Sequence, residues 1–301
     1  MTKQRSERAP AVLVATSIGP GKEYALPALL AVLARFKRGG ADLYCAVDAG
    51  ATVTAEARVQ LASLSCKVED VTEAHGGIFA RCARVREMAR QEFLRGAYSH
   101  LYFHDCDMVP DKGVIGALLK LNAPMASALY CLRDLSEPVI PAMCKGAGPA
   151  AAMIADLPIE TEAPAFSVQA FGMGAMLIRR DVAEDTAFRP ARYWDEPERC
   201  GEDYQFCIDA GVQPLVSLES IAWHCSDTGQ ASRPVIGKVN QGVFWCDMGG
   251  AVRNHLGYWA RGVPKFGVSD EDFAMLHPGS FQRLPCREVG MEKRATADLI
   301  K

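Results

Sequence analysis

Two aspartates one residue apart end an apolar stretch of the sequence. In "YSHLYFHDCDMVP", residues 98–110, Asp105 and Asp107 close a run that predicts a buried β-strand, and the chain turns directly after them. At such a turn both carboxylates can converge on one cation, and oxygen ligands suit Mg²⁺ or Mn²⁺, which typically bridge substrate phosphates. The competing interpretation is a solvated turn in which Asp105 caps the next helix.

Three further residues have types and positions suited to the same chemistry. His224 follows the apolar run "SIAWH" and is a candidate third metal ligand, although a histidine at a strand end is also common as a structural residue. Glu202 and Asp203 follow a glycine at a predicted helix start, where the helix dipole stabilises negative charge. Helix capping explains one acid there, and the pair also offers a candidate general base.

The helix predicted before the aspartates carries several arginines, in "GGIFARCARVREMARQEFLRG", residues 76–96. If this helix packs through its apolar positions Ile78, Cys82, Val85 and Ala89, then Arg86 lies buried near the edge of the sheet. A guanidinium there can hold a diphosphate in a bidentate manner. The other arginines are expected on a solvated face.

Strands and helices alternate along the first part of the chain. Apolar runs at 11–18, 41–50 and 66–73 are separated by amphipathic helical patterns, which indicates βαβ units and a mainly parallel sheet. Ligands of such open sheets bind beyond the carboxyl ends of the strands. Thr16, Asp48 and the two aspartates all lie at those ends, so the sequence predicts one site there.

Two later segments are defined by their composition. Residues 133–165 are rich in Pro, Ala and Gly, which predicts a surface loop or lid. Residues 243–267, "VFWCDMGGAVRNHLGYWARGVPKFG", interleave aromatic and basic side chains. We interpret them as a hydrophobic helix that docks on the core, with contact to a nucleic acid or a glycan as the alternative.

Composition limits the class of protein. The chain has 301 residues, 49% of them hydrophobic, so it can bury a full core as one large domain or two smaller ones. No apolar run reaches the roughly 18 residues of a membrane-spanning helix, and the polar N-terminus lacks a signal-peptide core. The 11 cysteines are dispersed and form no CxxC pair, which predicts free thiols in a cytoplasmic protein. A net charge of −3 does not favour a strongly electrostatic nucleic-acid binder.

Taken in order, these motifs resemble a known family, the nucleotide-sugar glycosyltransferases of the GT-A fold, and within it most closely the family 2 group. "VLVATSIG" is similar to the first strand and nucleotide-binding loop, and "CAVDAG" to the second strand. "ARVREMARQEFLRGAYSHLYFHDCDMVP" is similar to the arginine-bearing helix and the DxD strand. "FGMGAMLIRRDVAE", "GEDYQFCIDAGV" and "SIAWH" resemble the acceptor-side segment, the ED helix and the strand that ends in a metal-binding histidine. The resemblance covers residues 11 to about 228.

The resemblance implies an α/β fold of the GT-A type and a metal-dependent enzyme. Such an enzyme transfers one sugar from a nucleoside-diphosphate-sugar, expected to be a UDP-sugar, to an acceptor hydroxyl. The implied cofactor is Mn²⁺ or Mg²⁺, held by Asp105, Asp107 and His224, with Asp107 as the more direct ligand. Asp203, or else Glu202, would deprotonate the acceptor in an inverting displacement.

The resemblance also implies the residues that contact the donor. Thr16, Asp48 and Arg86 would grip the nucleotide, Asp105 would reach the ribose or the metal, and Gly174 would leave room for the sugar. The implied domain organisation is a flexible N-terminus at 1–10, a GT-A domain at 11–228 and a C-terminal extension at 229–301 with an acceptor-binding or structural role.

Two departures from the family pattern bear on the reaction. The second strand ends in "VDAGAT", without the usual Asp-rich, Ser-containing turn, and the Gln-x-x-Arg-Trp motif of processive synthases is missing. Transfer of a single sugar is therefore expected, with a glycan, a small molecule or a modified nucleic acid as the acceptor.

Four alternatives stay open at the level of the sequence. A DNA-modifying glycosyltransferase acting on hydroxymethylated bases would use the basic residues of 243–267. A haloacid-dehalogenase-like phosphatase also carries DxD at a strand end, but that strand normally opens the domain, and no lysine lies between residues 145 and 238 to match its second motif. A sugar nucleotidyltransferase would need a basic Gly-rich loop, which "SIGPGKEYA" matches poorly. The fourth is a non-catalytic metal- or nucleotide-binding module.

Overall fold

The computed structural model describes residues 11–72, 76–130, 143–145, 152–153, 164–190, 201–238, 243–246, 281–284 and 287–300. Most of the predicted lid at 133–165, and most of the segment at 243–267, therefore lie outside the described residues. The predicted flexible N-terminus at 1–10 lies outside them as well.

The strands and helices follow the alternation expected from the sequence. The strands are β1 (Val12–Ile18), β2 (Asp42–Val47), β3 (Lys67–Asp70), β4 (His100–Asp105), β5 (Met108–Pro110), β6 (Met125–Leu129), β7 (Met143–Lys145), β8 (Ala152–Met153), β9 (Ala165–Ser167), β10 (Ala170–Phe171), β11 (Ala175–Arg179), β12 (Leu215–Cys225), β13 (Gln230–Lys238), β14 (Val243–Cys246), β15 (Phe281–Leu284) and β16 (Arg287–Ala295). The helices are α1 (Leu26–Arg38), α2 (Ala55–Ser63), α3 (Ile78–Arg95), α4 (Val114–Lys120), α5 (Arg180–Asp185), α6 (Glu202–Ala210) and α7 (Thr296–Leu299).

One 11-stranded sheet forms the centre of the fold, with β16-β13-β12-β6-β11-β4-β1-β2-β3 as its main strand order. Strand β1 pairs in parallel with β2 and β4, and β2 pairs in parallel with β3. Helices connect these parallel strands, because a parallel crossover needs a dozen or more residues. The predicted α/β fold is confirmed as a mixed sheet with mostly parallel core strands, flanked by helices.

Strands of opposite direction complete the edge of the sheet where the aspartates lie. Strand β11 runs antiparallel between β4 and β6. Strand β12 begins parallel to β6, shifts register between Ser217 and Ile221, and then pairs antiparallel with β5. Since β5 follows the two aspartates directly, this pairing places His224 of β12 opposite Met108.

Helix α3 packs on the sheet through Val85 and Ala89, as predicted, and also through Phe93. The prediction is wrong for Ile78, the first residue of the helix, which is 68% exposed. Arg86 is buried, as predicted, and so is Arg90. The expectation that every other arginine of this helix is solvated is wrong for Arg90. Its guanidinium donates to backbone carbonyl groups at the end of α5 and to Glu87, and these acceptors compensate its burial.

The sheet continues beyond residue 228. Strands β13 and β16 pair with each other antiparallel over nine residue positions, and β13 pairs with β12. Val243–Cys246 form a strand that pairs with Phe281–Leu284, so the helix expected for the segment at 243–267 is wrong for those four residues. No helix in the described stretches is long and apolar enough to cross a membrane.

Candidate functional site

Asp105 and Asp107 lie at the carboxyl end of β4, on either side of a buried cysteine. The amide of Asp105 donates to the carbonyl of Gly174, 3.0 Å away, which ties the end of β4 to the start of β11. The carbonyl of Asp107 accepts from the amide of Cys225 at 2.7 Å, which ties the same turn to the end of β12. The turn after β4 is therefore fixed from both neighbouring strands.

The carboxylate of Asp107 is 2% exposed and has three polar neighbours at one oxygen. Lys22 Nζ donates to its Oδ2, Tyr24 Oη lies 3.1 Å from the same atom, and His224 Nε2 lies 3.4 Å from it. Burial favours the neutral acid, but His224 and Lys22 outweigh burial and hold the pKa of Asp107 well below its ordinary value. The lowered pKa favours the ionised form of Asp107 beside the ammonium group of Lys22.

Arg86 links three carboxylates that come from two distant parts of the chain. Its guanidinium donates to Glu202 Oε1 and to Asp105 Oδ1, the latter at 3.0 Å, and Asp203 Oδ2 lies 3.9 Å away. Burial alone would lower the pKa of Arg86, but these acids raise it well above the ordinary arginine value. The sequence predicted a diphosphate partner for Arg86, whereas the structure places protein carboxylates around it.

Glu202 and Asp203 form the first turn of α6, as predicted. Asp203 Oδ1 accepts from the amide of Tyr204 at 2.8 Å. Burial and neighbouring acids raise the pKa of both carboxyl groups despite the opposing charge of Arg86. A carboxylate with a raised pKa is a stronger proton acceptor, which is the property that a general base needs.

Gly174 lies in a narrow space between Tyr130 and Asp105. Its amide donates to Tyr130 Oη at 2.9 Å. A Cβ atom at this position would lie 3.1 Å from Tyr130 Oη and 3.3 Å from Asp105 Oδ2. The ring of Tyr130 also packs edge-on against His224, with 6.2 Å between centroids. A residue without a side chain is therefore needed where Asp105 faces β11.

Asp48 directly follows β2, as predicted, whereas Thr16 lies inside β1, two residues before its end. Asp48 Oδ2 pairs with Arg81 at 2.8 Å, and Asp48 Oδ1 has no hydrogen-bond partner among the described residues. Thr16 is buried, and its hydroxyl likewise lacks a partner within the described stretches. The structure does not bring Thr16 to the surface of the site.

The predicted metal site stays a prediction. In the part of the chain that the structure describes, no group of three His, Cys, Asp or Glu residues is arranged to hold a metal ion. Asp107 and His224 offer one oxygen and one nitrogen 3.4 Å apart, a donor pair that suits Mn²⁺, and the ammonium of Lys22 is a stand-in cation at the same oxygen. Asp105, the third predicted ligand, is paired with Arg86 instead.

Four residues of the site were not predicted from the sequence: Lys22, Tyr24, Arg81 and Tyr130. Lys22 and Tyr24 follow β1 in "GPGKEY", a loop that leaves the same sheet edge as the aspartates. That position is the signal that would have identified them. Tyr130 directly follows β6 at the same edge, and Arg81 belongs to the first turn of α3 that faces β2.

No family model matches the sequence, and no curated protein matches it. Among solved structures, the chain is similar to A197 from STIV, with 16% identity, a TM-score of 0.43 and coverage of 73% of this chain and 88% of that one. It is also similar to TarS from S. aureus, with 15% identity, a TM-score of 0.45 and coverage of 68% of this chain and 35% of that one. For S. aureus TarS 1–349 in complex with UDP-GlcNAc, the identity is 15%, the TM-score is 0.44, and the match covers 68% of this chain and 55% of that one.

Proposed function

We propose that this protein is a glycosyltransferase that moves one sugar from a nucleoside-diphosphate-sugar, tested first as a UDP-sugar, to the hydroxyl of an acceptor. One observation carries the proposal. Arg86 joins the carboxylate of Asp105, at the end of β4, to those of Glu202 and Asp203 in the first turn of α6. This contact supports the proposal because Asp105 is two residues from Asp107, the acid assigned below to the cation, so a cation and a general base would act at the same sheet edge.

On the donor side, we assign Asp107 and His224 to Mn²⁺ or Mg²⁺. A divalent ion bound there supplies positive charge that offsets the charge developing on the leaving nucleoside diphosphate. Asp48, whose Oδ1 lacks a partner within the described stretches, is assigned to the nucleotide. Gly174 is assigned to the space for the donor sugar, because any side chain there would contact Asp105.

Two of the residues implied by the family resemblance receive different roles in this proposal. Arg86 positions the acids, because its guanidinium already contacts Glu202 and Asp105. Thr16 supports the interior beneath β1, because its side chain is buried. Asp105 is placed by Arg86 at the edge of the site, beside Gly174, where the ribose or the cation can approach it.

On the acceptor side, Asp203 acts as the general base. It takes the proton of the acceptor hydroxyl, and the acceptor oxygen forms a bond to the anomeric carbon of the donor sugar. The bond from that carbon to the diphosphate breaks, and its electron pair leaves with the nucleoside diphosphate. Attack opposite to the leaving group inverts the configuration at the anomeric carbon. Glu202 stays bound to Arg86 and holds the first turn of α6 in place.

The haloacid-dehalogenase-like alternative receives no support from the geometry. Its nucleophile would be Asp105, but one oxygen of that carboxylate accepts a hydrogen bond from Arg86. The strand that carries Asp105 lies in the middle of the sheet and is the fourth along the chain. We therefore assign the donor site to 11–228 and propose that 229–301, through strands added to the same sheet, serves the acceptor side.

The test is a panel of nucleotide sugars, with donor hydrolysis and transfer measured by release of the nucleoside diphosphate in Mn²⁺ and in a chelator. Turnover with at least one donor in Mn²⁺ is expected. Asp203→Asn should lower turnover by about 10²–10⁴-fold. The matched control is Asp209→Asn on the same helix, since Asp209 pairs with Arg189 away from the acids. Absence of turnover with every donor, or equal turnover in Asp203→Asn, would contradict the proposal.

A further inference from the structure

Lys22 lies at the proposed cation site, and the family resemblance assigned it no role. Its side chain ends in a positively charged ammonium group. It follows Gly21, whose φ of +72° lies in the left-handed region that glycine adopts without strain. Its side chain is 29% exposed, whereas that of Asp107 is 3% exposed. The ammonium therefore reaches from the edge of the solvent to a buried acid.

The contact between the ammonium group of Lys22 and the carboxylate of Asp107 resembles that of a bound cation with its ligand. A buried carboxylate is costly unless a charge or hydrogen bonds compensate it. Tyr24 and His224 contribute to that compensation through rigid ring side chains. Lys22 contributes a compact charge on a flexible chain of four carbons.

Lys22 contacts the same oxygen of Asp107 that faces His224, so a divalent ion held between these two residues would meet the ammonium group there. Two cations at one carboxylate oxygen repel each other strongly at short range. The loop that carries Lys22 leaves β1 at the carboxyl end of the sheet, where a nucleotide would bind. An ammonium group displaced from Asp107 would lie in the region where the donor diphosphate would bind. Phosphate forms strong hydrogen bonds with lysine.

We propose that Lys22 is a tethered cation that occupies Asp107 when donor and metal are absent and moves to the donor diphosphate when a divalent ion binds. This inference rests on the proposed function, since it assigns Lys22 to the same site. Lys22 thus competes with the ion in the empty site and assists donor binding in the loaded site. The two effects have opposite signs, which distinguishes this role from simple support of the loop.

The test is Lys22→Gln, measured by Mn²⁺ binding from the spin-resonance signal of the free ion, and by UDP binding in saturating Mn²⁺ from titration calorimetry. A hydrogen bond to a charged group is worth enough to change affinity about tenfold. We expect Mn²⁺ to bind about tenfold more tightly to Lys22→Gln than to the wild type, and UDP to bind about tenfold more weakly. Lys22→Arg keeps the charge and should keep the weaker Mn²⁺ binding.

The matched control is Lys67→Gln, which breaks a lysine–carboxylate pair between the start of β3 and Glu92 of α3 and should change neither affinity. Thermal melting of each variant verifies the fold. Unchanged or weaker Mn²⁺ binding in Lys22→Gln overturns the proposal, and so does a loss of both affinities. If the wild type binds no nucleoside diphosphate at all, the proposed function fails by itself, whereas the comparison of Mn²⁺ affinities still tests the competition at Asp107.

Discussion

Replacing Arg86 by methionine should destabilise the protein strongly, because it leaves the acids at the sheet edge without their shared counter-charge. The side chains of Arg86 and Glu202 are only 10% and 4% exposed, so solvent does little to screen the loss. Removing one partner of a buried ion pair costs about 3–5 kcal/mol, and we expect a value in that range near pH 8, where the acids are ionised. With roughly 2–4 °C per kcal/mol for a chain of this size, the melting temperature should fall by roughly 10 °C.

The assay is denaturant unfolding of wild type, Arg86→Met and the double variant Arg86→Met/Glu202→Gln. The double variant should regain part of the lost free energy of unfolding, because Glu202→Gln removes a buried charge that Arg86→Met leaves unpaired. Arg84→Met on the exposed side of the same helix is the control and should change stability by less than about 0.5 kcal/mol. A loss in Arg86→Met no larger than that of Arg84→Met, or no recovery in the double variant, would refute the assignment of Arg86 as the link between the acids.

Two further outcomes follow from the geometry of the site. A general base works only when ionised, and the pKa of Asp203 is raised. The acid limb of the pH profile of kcat/KM should therefore lie above the ordinary aspartate pKa of 3.8, with activity falling as the pH drops through that limb. A limb at or below 3.8 would contradict the assignment of Asp203 as the base. Gly174→Ala should raise the KM for the donor and cost about 1–3 kcal/mol of stability, because the new Cβ would meet Tyr130 and Asp105. Gly116→Ala, in an exposed part of α4 with open space at the Cβ position, should instead be neutral or stabilising in the same unfolding measurement.

The order of the elements and the edge that holds the site were predictable from the sequence, because both depend on local periodicity. Parallel strands joined by helices must end at one edge, so acids placed after β2 and β4 had to lie near each other. The proximity of His224 to Asp107, 3.4 Å between side-chain atoms, does not follow from this rule, because it depends on the register shift in β12 and on the antiparallel pairing of β12 with β5.

Pairings across long stretches of sequence were not predictable in the same way. Lys22 and Asp107 are 85 positions apart in the sequence, and Arg86 and Glu202 are 116 apart. No local sequence pattern predicts contacts over such separations. The antiparallel direction of β11 was hidden for a different reason. Its apolar run is buried on both faces and looks the same in either direction, so only the neighbouring strands determine how it runs.

The most direct measurement of the proposed function is calorimetric titration of UDP, in the presence of Mn²⁺, into the wild type, Asp107→Asn and Asp203→Asn. Binding to the wild type is expected with a dissociation constant between about 1 μM and 1 mM, the range typical of enzyme substrates. Asp203→Asn should bind alike because Asp203 serves the acceptor, whereas Asp107→Asn should bind at least tenfold more weakly because its cation site is lost. Equal binding by Asp107→Asn and the wild type, or no binding by the wild type, would contradict the assignment of this sheet edge to a nucleotide-sugar donor.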